Sequence, residues 1–296
     1  MLYTRAQQIF SAKWLIHQDV ISSFIPIFIS FISGHQIDLS QFKDDKKAYA
    51  VANGINTATK YDLISAEIPE NSVAVIPVNG VLTTWKSMEI ENNVKLAQAN
   101  PNIISILFIT STPGGMVVYT DILSNTIKNC LIPTVSYVIG MQASAGMWSM
   151  SGVNRIILSS PLDYVGSIGV MTGYTDFSAL LKKYGIEQFE IYARKSTRKN
   201  EIYRALQDTS KTIEERKDPV LNDLDFTNDF FHDAISANLN IPKNSEVFTG
   251  AIYTAQKGID LGLAHEINPS VEYALETAYN LGLTNKIKQF SKSLIN

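Results

Sequence analysis

Cysteine and histidine are scarce in this chain, and their scarcity narrows the classes of protein to consider. Among 296 residues there is one cysteine, Cys130, so no disulfide bond can form within the chain. The four histidines form neither an H-E-x-x-H segment nor a cluster with cysteine, so no spacing typical of a zinc site is present. We therefore expect no metal and no other cofactor.

An excess of charge of one sign is also missing. The formal net charge is −3, which argues against a dedicated nucleic-acid-binding protein. No segment follows the pattern G-x-x-x-x-G-K-[ST], so we expect no ATP site in this chain.

Long apolar runs are absent as well. The most apolar early run, "ISSFIPIFISFISG" at residues 21–34, contains Pro26 and is shorter than the roughly 20 residues that span a bilayer. We expect it to form an amphipathic or buried helix, with an interfacial helix as the alternative. The N-terminus also lacks the pattern of a secretory signal.

The pattern of apolar residues changes near residue 70. We expect residues 1–70 to form a mostly helical N-terminal region, with a helix over 4–34, residues 71–285 the main domain, and 286–296 a tail. Within the main domain, apolar strand-like runs alternate with segments of helical spacing. The predicted strands begin at Val73 and cover 103–110, 133–140 and 155–160; the predicted helices cover 87–99, a segment within 116–130, and one that opens near Ser144.

This alternation predicts an α/β fold with a mainly parallel sheet, or stacked βα units, covered by helices. The strands are apolar throughout, as in a sheet buried on both faces. Ligands of such folds bind outside the carboxyl ends of the strands. Two glycine-bearing stretches, "STPGG" at 111–115 and "MQASAG" at 141–146, follow the predicted strands at those ends.

Together the two stretches offer the groups that acyl transfer needs. Ser144, between two alanines where strand gives way to helix, could act as a nucleophile. Gly114 and Gly115 could present backbone N–H groups to an oxyanion. Taken separately, the same residues read as a glycine turn and a helix N-cap serine, and this alternative stays open.

Several segments resemble a known family. "STPGG" and "GMQASAGMWSMSGVNRIILSSP" are similar to ClpP/crotonase-type peptidases, and "YVGSIGVMTGYTDFSALLKKYGI" and "RKSTRKN" resemble the signal peptide peptidase A family of serine–lysine peptidases. The resemblance covers about residues 70–270 and implies a ClpP/crotonase-like fold of stacked βα units. The N-terminal "SAKWLIHQDVISSFI" is similar to compact phage-encoded members that process capsid precursors.

The resemblance assigns roles to individual residues. It implies that Ser144 is the nucleophile and that the N–H groups of Gly114 and Ala145 stabilise the oxyanion. Ala145 stands where the family usually has the first of two glycines, and alanine keeps the N–H. The residues implied to contact the substrate are Gly115, Gly166, Ser167 and Ile168.

The base is implied to be a lysine. The catalytic lysine of the family usually precedes an acidic or amide residue. Lys199 precedes Asn200, so we prefer it to Lys195. Without the resemblance this segment reads as a solvated basic loop. None of the four histidines stands where ClpP has its catalytic histidine, and His232 is the remaining histidine candidate.

The resemblance therefore implies a serine endopeptidase that cleaves extended polypeptides and assembles into a homo-oligomeric ring. Capsid or scaffold proteins are the expected partners, and the cytoplasm, that of the bacterial host if the chain is phage-encoded, is the expected location. Three alternatives stay open. They are degradation of signal peptides at a membrane, a crotonase-like acyl-CoA enzyme, and an inactive structural subunit of the same fold.

Overall fold

The computed structural model describes residues 14–16, 47–52, 59–173, 178–185, 187 and 189–294. The chain divides into two compact units. The first comprises Met1–Gly169 and Phe231–Asn296, and the second comprises Val170–Phe230. The apolar run predicted to be a helix at 21–34 lies outside the described residues, as do His17 and His35. The predicted division at residues 70 and 285 remains a prediction.

All the described strands belong to the first unit. They are β1 Trp14–Ile16, β2 Tyr49–Val51, β3 Lys60–Tyr61, β4 Ser72–Asn79, β5 Ile103–Thr112, β6 Gly114–Met116, β7 Thr134–Ala143, β8 Arg155–Leu158, β9 Tyr164–Gly166, β10 Ile252–Thr254 and β11 Glu266–Ile267.

Nine of these strands form one mixed sheet. Seven of them follow the order β10-β9-β7-β5-β4-β2-β3, and the other two branch from it, with β8 paired to β7 and β11 paired to β8. Its centre is parallel, because β4, β5, β7, β8 and β9 run in one direction. The edges are antiparallel, with β2 on β4 and β10 on β9. The predicted α/β fold with a mainly parallel sheet is confirmed.

Strand β7 pairs with two different strands, β8 and β9, along the same edge. Its first half, Val135–Val138, pairs with β8, and its last residues, Met141–Ala143, pair with β9. The sheet therefore forks along β7, and Ser144 is the first residue beyond the branch formed with β9.

The described helices lie between and after the strands. They are α1 Thr84–Ala99, α2 Thr120–Lys128, α3 Ala145–Met150, α4 Ser178–Lys183, α5 Glu201–Gln207, α6 Ile213–Leu239, α7 Ala255–Asp260 and α8 Val271–Ser293, with a short 3-10 helix at Glu246–Thr249. In the described part of the chain, no helix combines the length and the low polarity that a membrane span requires.

Small residues let α8 lie close against the sheet. Ala274 and Ala278 are buried in one cluster with side chains of the central strands, among them Val75 and Leu107. A Cβ atom at Gly282 would lie 2.7 Å from the carbonyl oxygen of Ile104, so only glycine allows this approach. The helix runs on beyond residue 285, so part of the predicted tail is helical.

The four apolar strand-like runs of the main domain form β4, β5, β7 and β8, as predicted, because apolar side chains fill both faces of a buried sheet. The helix predicted over 87–99 is confirmed as α1, and those after "STPGG" and at "ASAG" as α2 and α3. The N-terminal expectation of helix over 4–34 is wrong at Trp14–Ile16. These residues form a strand, because they pair with β6.

The second unit contains α4, α5 and the part of α6 before Phe231. Its segment 194–200 folds as turns. The N–H of Ser196 donates to the carbonyl of Ala193, and the N–H of Lys199 donates to that of Ser196.

Candidate active site

Ser144 lies at the turn between β7 and α3. Its φ of 54° and ψ of −116° fall in a region that residues other than glycine seldom adopt. The side chain is 1% exposed, and no described residue lies within hydrogen-bonding distance of its Oγ atom. A buried hydroxyl without a partner and a strained backbone are both costly, and such costs concentrate at functional sites.

Strand β9 holds the backbone of this serine in place. The N–H of Ser144 donates to the carbonyl of Gly166 at 2.9 Å, just after Ala143 pairs with Gly166 in register. Gly166 has a φ of 115°, and a Cβ there would lie 2.7 Å from the carbonyl oxygen of Ala251. The tight backbone packing explains why glycine stands at this position.

Two side-chain contacts also hold helix α3 in place. The ring of Trp148 stacks on that of Phe231, with centroids 4.9 Å apart. The Ser124 hydroxyl donates to the carbonyl of Trp148 at 2.9 Å. A strained turn persists only when the surrounding structure holds it, and these contacts do so.

Gly114 begins the neighbouring strand β6, and its N–H is already engaged. It donates to Oγ1 of Thr112 at 3.1 Å, and that hydroxyl donates to the carbonyl of Gly80 at 2.6 Å. The N–H predicted to bind an oxyanion is therefore used to shape the loop. The sequence analysis missed Thr112, although a threonine two residues before a glycine is a known turn signal.

Gly115, the next residue of β6, has no room for a side chain. A Cβ there would lie 1.9 Å from the carbonyl oxygen of Leu82, so no other residue fits this backbone. Leu82 bonds to both neighbours of Gly115, since its N–H donates to the carbonyl of Gly114 and its carbonyl accepts from the N–H of Met116. Backbone groups alternate in direction along a strand, so the N–H of Gly115 points away from Leu82.

Helix α3 lies beside β6, which brings Ala145 to the same region as the glycines. As the first helical residue, Ala145 has an N–H with no carbonyl partner inside the helix. A Cβ at the next residue, Gly146, would lie 2.4 Å from Cγ2 of Thr112. The small side chains after Ser144 thus allow the helix to approach the loop that carries Gly114.

The other residues predicted to contact substrate follow β9. Ser167 has a φ of 54°, and its N–H donates to the carbonyl of Ala251 at 2.7 Å. Ile168 is 0% exposed. Both lie in the first unit with Ser144, but the burial of Ile168 confines its side chain to the core of the fold.

Both candidate lysines lie in the second unit. Lys199 and Lys195 are exposed residues of the turns that precede α5. Arg198, between them, forms an ion pair with Glu201. The Ser–Lys pairing stays a prediction.

The described histidines have structural contacts. Nδ1 of His265 accepts from the N–H of Ile156 at 3.0 Å, and partial burial of the ring, with Arg155 nearby, lowers its pKa. The ring of His232 packs against that of Phe248, with centroids 4.8 Å apart. Neither observation assigns a histidine to the site around Ser144.

A serine held at a strained turn between strand and helix, with a glycine strand beside it, is an arrangement typical of hydrolases that use a serine nucleophile. Residues 127–283 match the family described as peptidase family S49, and the chain belongs to that family. The family that the motifs indicated is thus confirmed.

Two relatives illustrate the similarity. The "Capsid assembly protease C" of Escherichia phage lambda is 29% identical over 217 residues, which cover 68% of this chain and 48% of that protein. The "Probable protease SohB" of Haemophilus influenzae is 24% identical over 215 residues, 72% of this chain and 58% of that protein. The chain thus spans about half the length of the curated relatives it matches.

Among solved structures, a ClpP1 mutant from Listeria monocytogenes aligns with a TM-score of 0.43 and 14% identity. The alignment covers 68% of this chain and 94% of that one.

Proposed function

We propose that this chain is a serine endopeptidase in which Ser144 is the nucleophile and Lys199 the base. The observation that carries the proposal is the geometry of Ser144, a buried hydroxyl without a described partner at a strained turn beside β6. Membership of peptidase family S49 supports peptide-bond hydrolysis as the reaction.

In the proposed mechanism, Oγ of Ser144 attacks the carbonyl carbon of the scissile peptide and its proton passes to the neutral amine of Lys199. The tetrahedral intermediate collapses, the C–N bond breaks, and the lysine returns the proton to the leaving amine. A water molecule then gives a proton to the lysine and attacks the acyl-serine. Collapse of the second intermediate releases the acid and restores the serine hydroxyl.

The oxyanion needs two donors, and the proposal amends one of those predicted. Ala145 keeps its role, because its N–H has no partner inside α3. The N–H of Gly114 is engaged within its own loop by Thr112. That of Gly115 points away from Leu82, to the edge where Trp14–Ile16 pairs with β6, and it becomes available to substrate when that strand is displaced. We therefore assign the second donor to Gly115.

The assignment of the nucleophile is tested by Ser144→Ala. We expect loss of peptide turnover and of labelling by a fluorophosphonate probe, with an unchanged circular-dichroism spectrum, because the hydroxyl has no described partner to lose. Ser149→Ala is the matched control. Ser149 is a buried serine of the same helix whose hydroxyl donates to the carbonyl of Ala145, so this variant should still label. Labelling that persists in folded Ser144→Ala would refute the proposal.

The base is tested by comparing two lysines of one segment. Lys199→Ala should lower kcat by several orders of magnitude, since the hydroxyl alone is a weak nucleophile. Lys195→Ala should keep most of the activity. The reverse pattern would transfer the role to Lys195, and full activity in both variants would refute a lysine base.

We further propose that the natural substrates are capsid or scaffold proteins and that the chain acts as a homo-oligomer. The similarity to the capsid assembly protease of phage lambda supports the substrate class. Exposed apolar side chains such as Phe189 and Ile191 support self-association. Incubation with a purified phage capsid protein and a purified scaffold protein, followed by mass spectrometry of the fragments, tests the substrate class. Cleavage of unrelated unfolded proteins at an equal rate would contradict it.

A further inference from the structure

Strand β6 has a neighbour supplied by the N-terminal part of the same chain. Trp14–Ile16 pairs antiparallel with Gly114–Met116, and Leu15 stands opposite Gly115. The two strands form a separate small sheet outside the main one.

The direction of the N–H and carbonyl groups along β6 shows which of its residues hydrogen-bonds to β1. Leu82 uses the carbonyl of Gly114 and the N–H of Met116 on one side of β6. The N–H and carbonyl of Gly115 therefore face the other side, where Leu15 lies. Leu15 is thus the residue of β1 that pairs with both groups of Gly115.

An extended peptide would use the same edge. A peptide added to an exposed strand is held by main-chain hydrogen bonds, and its partner strand must offer unpaired N–H and carbonyl groups. On β6 those groups belong to Gly115, the glycine beside the proposed nucleophile. A substrate strand and β1 cannot bind to them together.

The burial of β6 and Ser144 is consistent with a peptide-binding edge that is already occupied. All three residues of β6 are buried, and Ser144 is 1% exposed. An extended polypeptide can reach these groups only after residues that cover them have moved.

We propose that Trp14–Ile16 is an internal competitor of the substrate: it occupies the peptide-binding edge of β6 as an extended strand and must leave before a polypeptide binds. The inference rests on the proposed function, because it identifies this edge as the place where substrate pairs. Beyond the proposed function, we infer that Trp14–Ile16 occupies this edge and that activity is regulated when a substrate strand replaces it.

The kinetic consequence is specific. A competitor in the same chain lowers the fraction of molecules able to bind substrate and leaves the chemical step unchanged. If β1 is docked nine-tenths of the time, the apparent KM is raised about tenfold while kcat is unaffected. Adding a partner that captures the N-terminal segment would relieve the inhibition.

The test is Leu15→Pro in the full chain. Proline removes the N–H that pairs with Gly115 and cannot join a strand ladder at this position. We expect a KM for a fluorogenic peptide several-fold below that of the wild type, and an equal kcat. Leu15→Ala keeps the backbone N–H, so its KM should stay within about twofold of the wild type, because main-chain bonds hold such strands. A raised KM or a lowered kcat in folded Leu15→Pro would mean that β1 supports the site, and would overturn the proposal.

A binding measurement separates this proposal from the proposed function. A fluorescent peptide with the sequence of residues 11–20, SAKWLIHQDV, should bind Leu15→Pro more tightly than the wild type by the same factor as the change in KM, and a scrambled peptide should not. The measurement needs no turnover, so it decides the matter even if Ser144 is not labelled. Equal binding to both proteins would overturn the proposal.

If Leu15→Pro does not fold, hydrogen exchange of the wild-type chain replaces it. The amide of Leu15 should exchange faster when an excess of the peptide is present, because the strand has been displaced. Unchanged protection with peptide bound would show that β1 and the peptide do not compete.

Discussion

At the scale of single residues, a threonine hydroxyl shapes the loop beside the proposed nucleophile. Oγ1 of Thr112 accepts from the N–H of Gly114 and donates to the carbonyl of Gly80, so one atom joins two turns. Its methyl group lies against the position where Gly146 carries no side chain. Thr112 therefore positions the glycine strand relative to the helix that begins after Ser144.

Thr112→Val tests this positioning role. The variant keeps the shape of the side chain and leaves the buried N–H of Gly114 without its partner, which costs about 1–3 kcal/mol of stability. It also removes the hydrogen bond to the carbonyl of Gly80. We expect kcat to fall at least about tenfold, because an oxyanion donor must be accurately placed, with a smaller change in KM. Thr112→Ser, which keeps the hydroxyl, should restore kcat in steady-state assays. A rise in activity in Thr112→Val would instead indicate that the N–H of Gly114, once released, serves the oxyanion.

The sequence predicted Ser144 and the glycines, because small residues after a strand are unusual enough to be seen without a structure. It did not predict that the N–H of Gly114 bonds to Thr112 while that of Gly115 points away from Leu82. The direction of the Gly115 N–H follows from the hydrogen bonds of Leu82, thirty-odd residues earlier in the chain.

At the scale of elements, a buried carboxylate joins α1 to α2. Glu91 of α1 is 7% exposed and accepts hydrogen bonds from the hydroxyls of Tyr119 and Thr126. Lys95, one turn further along α1, forms an ion pair with it at 2.6 Å. Tyr119 has a φ of 79°, so this contact also holds a strained residue at the start of α2.

The pKa of Glu91 makes this junction sensitive to acid. Desolvation alone would raise the pKa of the carboxyl, but hydrogen bonds from Lys95, Tyr119 and Thr126 outweigh it and hold the pKa below the ordinary value of about 4.5. The stabilisation is therefore complete above that value and is lost as the pH falls through the lower pKa of the folded state.

We expect Glu91→Gln to be less stable than the wild type at pH 7 and to differ less from it at pH 3.5. Urea unfolding at the two pH values measures the difference. Glu89→Gln is the control, because Glu89 is an exposed carboxylate of the same helix. An equal loss of stability for Glu91→Gln at both pH values would show that its carboxylate makes no net contribution.

The sequence predicted the long elements and missed the short ones. β4, β5 and β7 have eight to ten residues and are apolar on both faces, so their pattern is sufficient. β1, β10 and β11 have two or three residues and become strands only by pairing with β6, β9 and β8. Their conformation is set by contacts distant in sequence, which a local pattern does not contain.

At the scale of the whole molecule, apolar side chains are exposed in the second unit. Phe189 is 80% exposed, Ile191 is 93% exposed, and Tyr184 and Phe226 are exposed as well. Large apolar side chains that are this exposed in one unit are candidates for burial against a partner.

We expect the chain to associate with itself through this unit. Light scattering at micromolar concentration should give a multiple of the chain mass, and the double substitution Phe189→Ser and Ile191→Ser should lower it. Leu131→Ser, which changes an exposed leucine of the first unit, is the control. A monomeric wild type would contradict the prediction, as would an unchanged mass in the double variant.

The fork along β7 has a consequence for how this region can change in evolution. Val135–Val138 pairs with β8, and Met141–Ala143 pairs with β9. Two residues, Ile139 and Gly140, lie between the two paired segments. Removing one of these two residues would leave the first register intact and move the second by one place, which turns each later side chain to the opposite face of the sheet. Gly140 has a φ of 79°, which side chains other than glycine seldom adopt, so Ile139 is the residue of the two that tolerates substitution more readily. Insertions and deletions between the branches would turn Ser144 to the opposite face. The number of residues between the two branches is therefore more constrained than the identity of the residue at position 139.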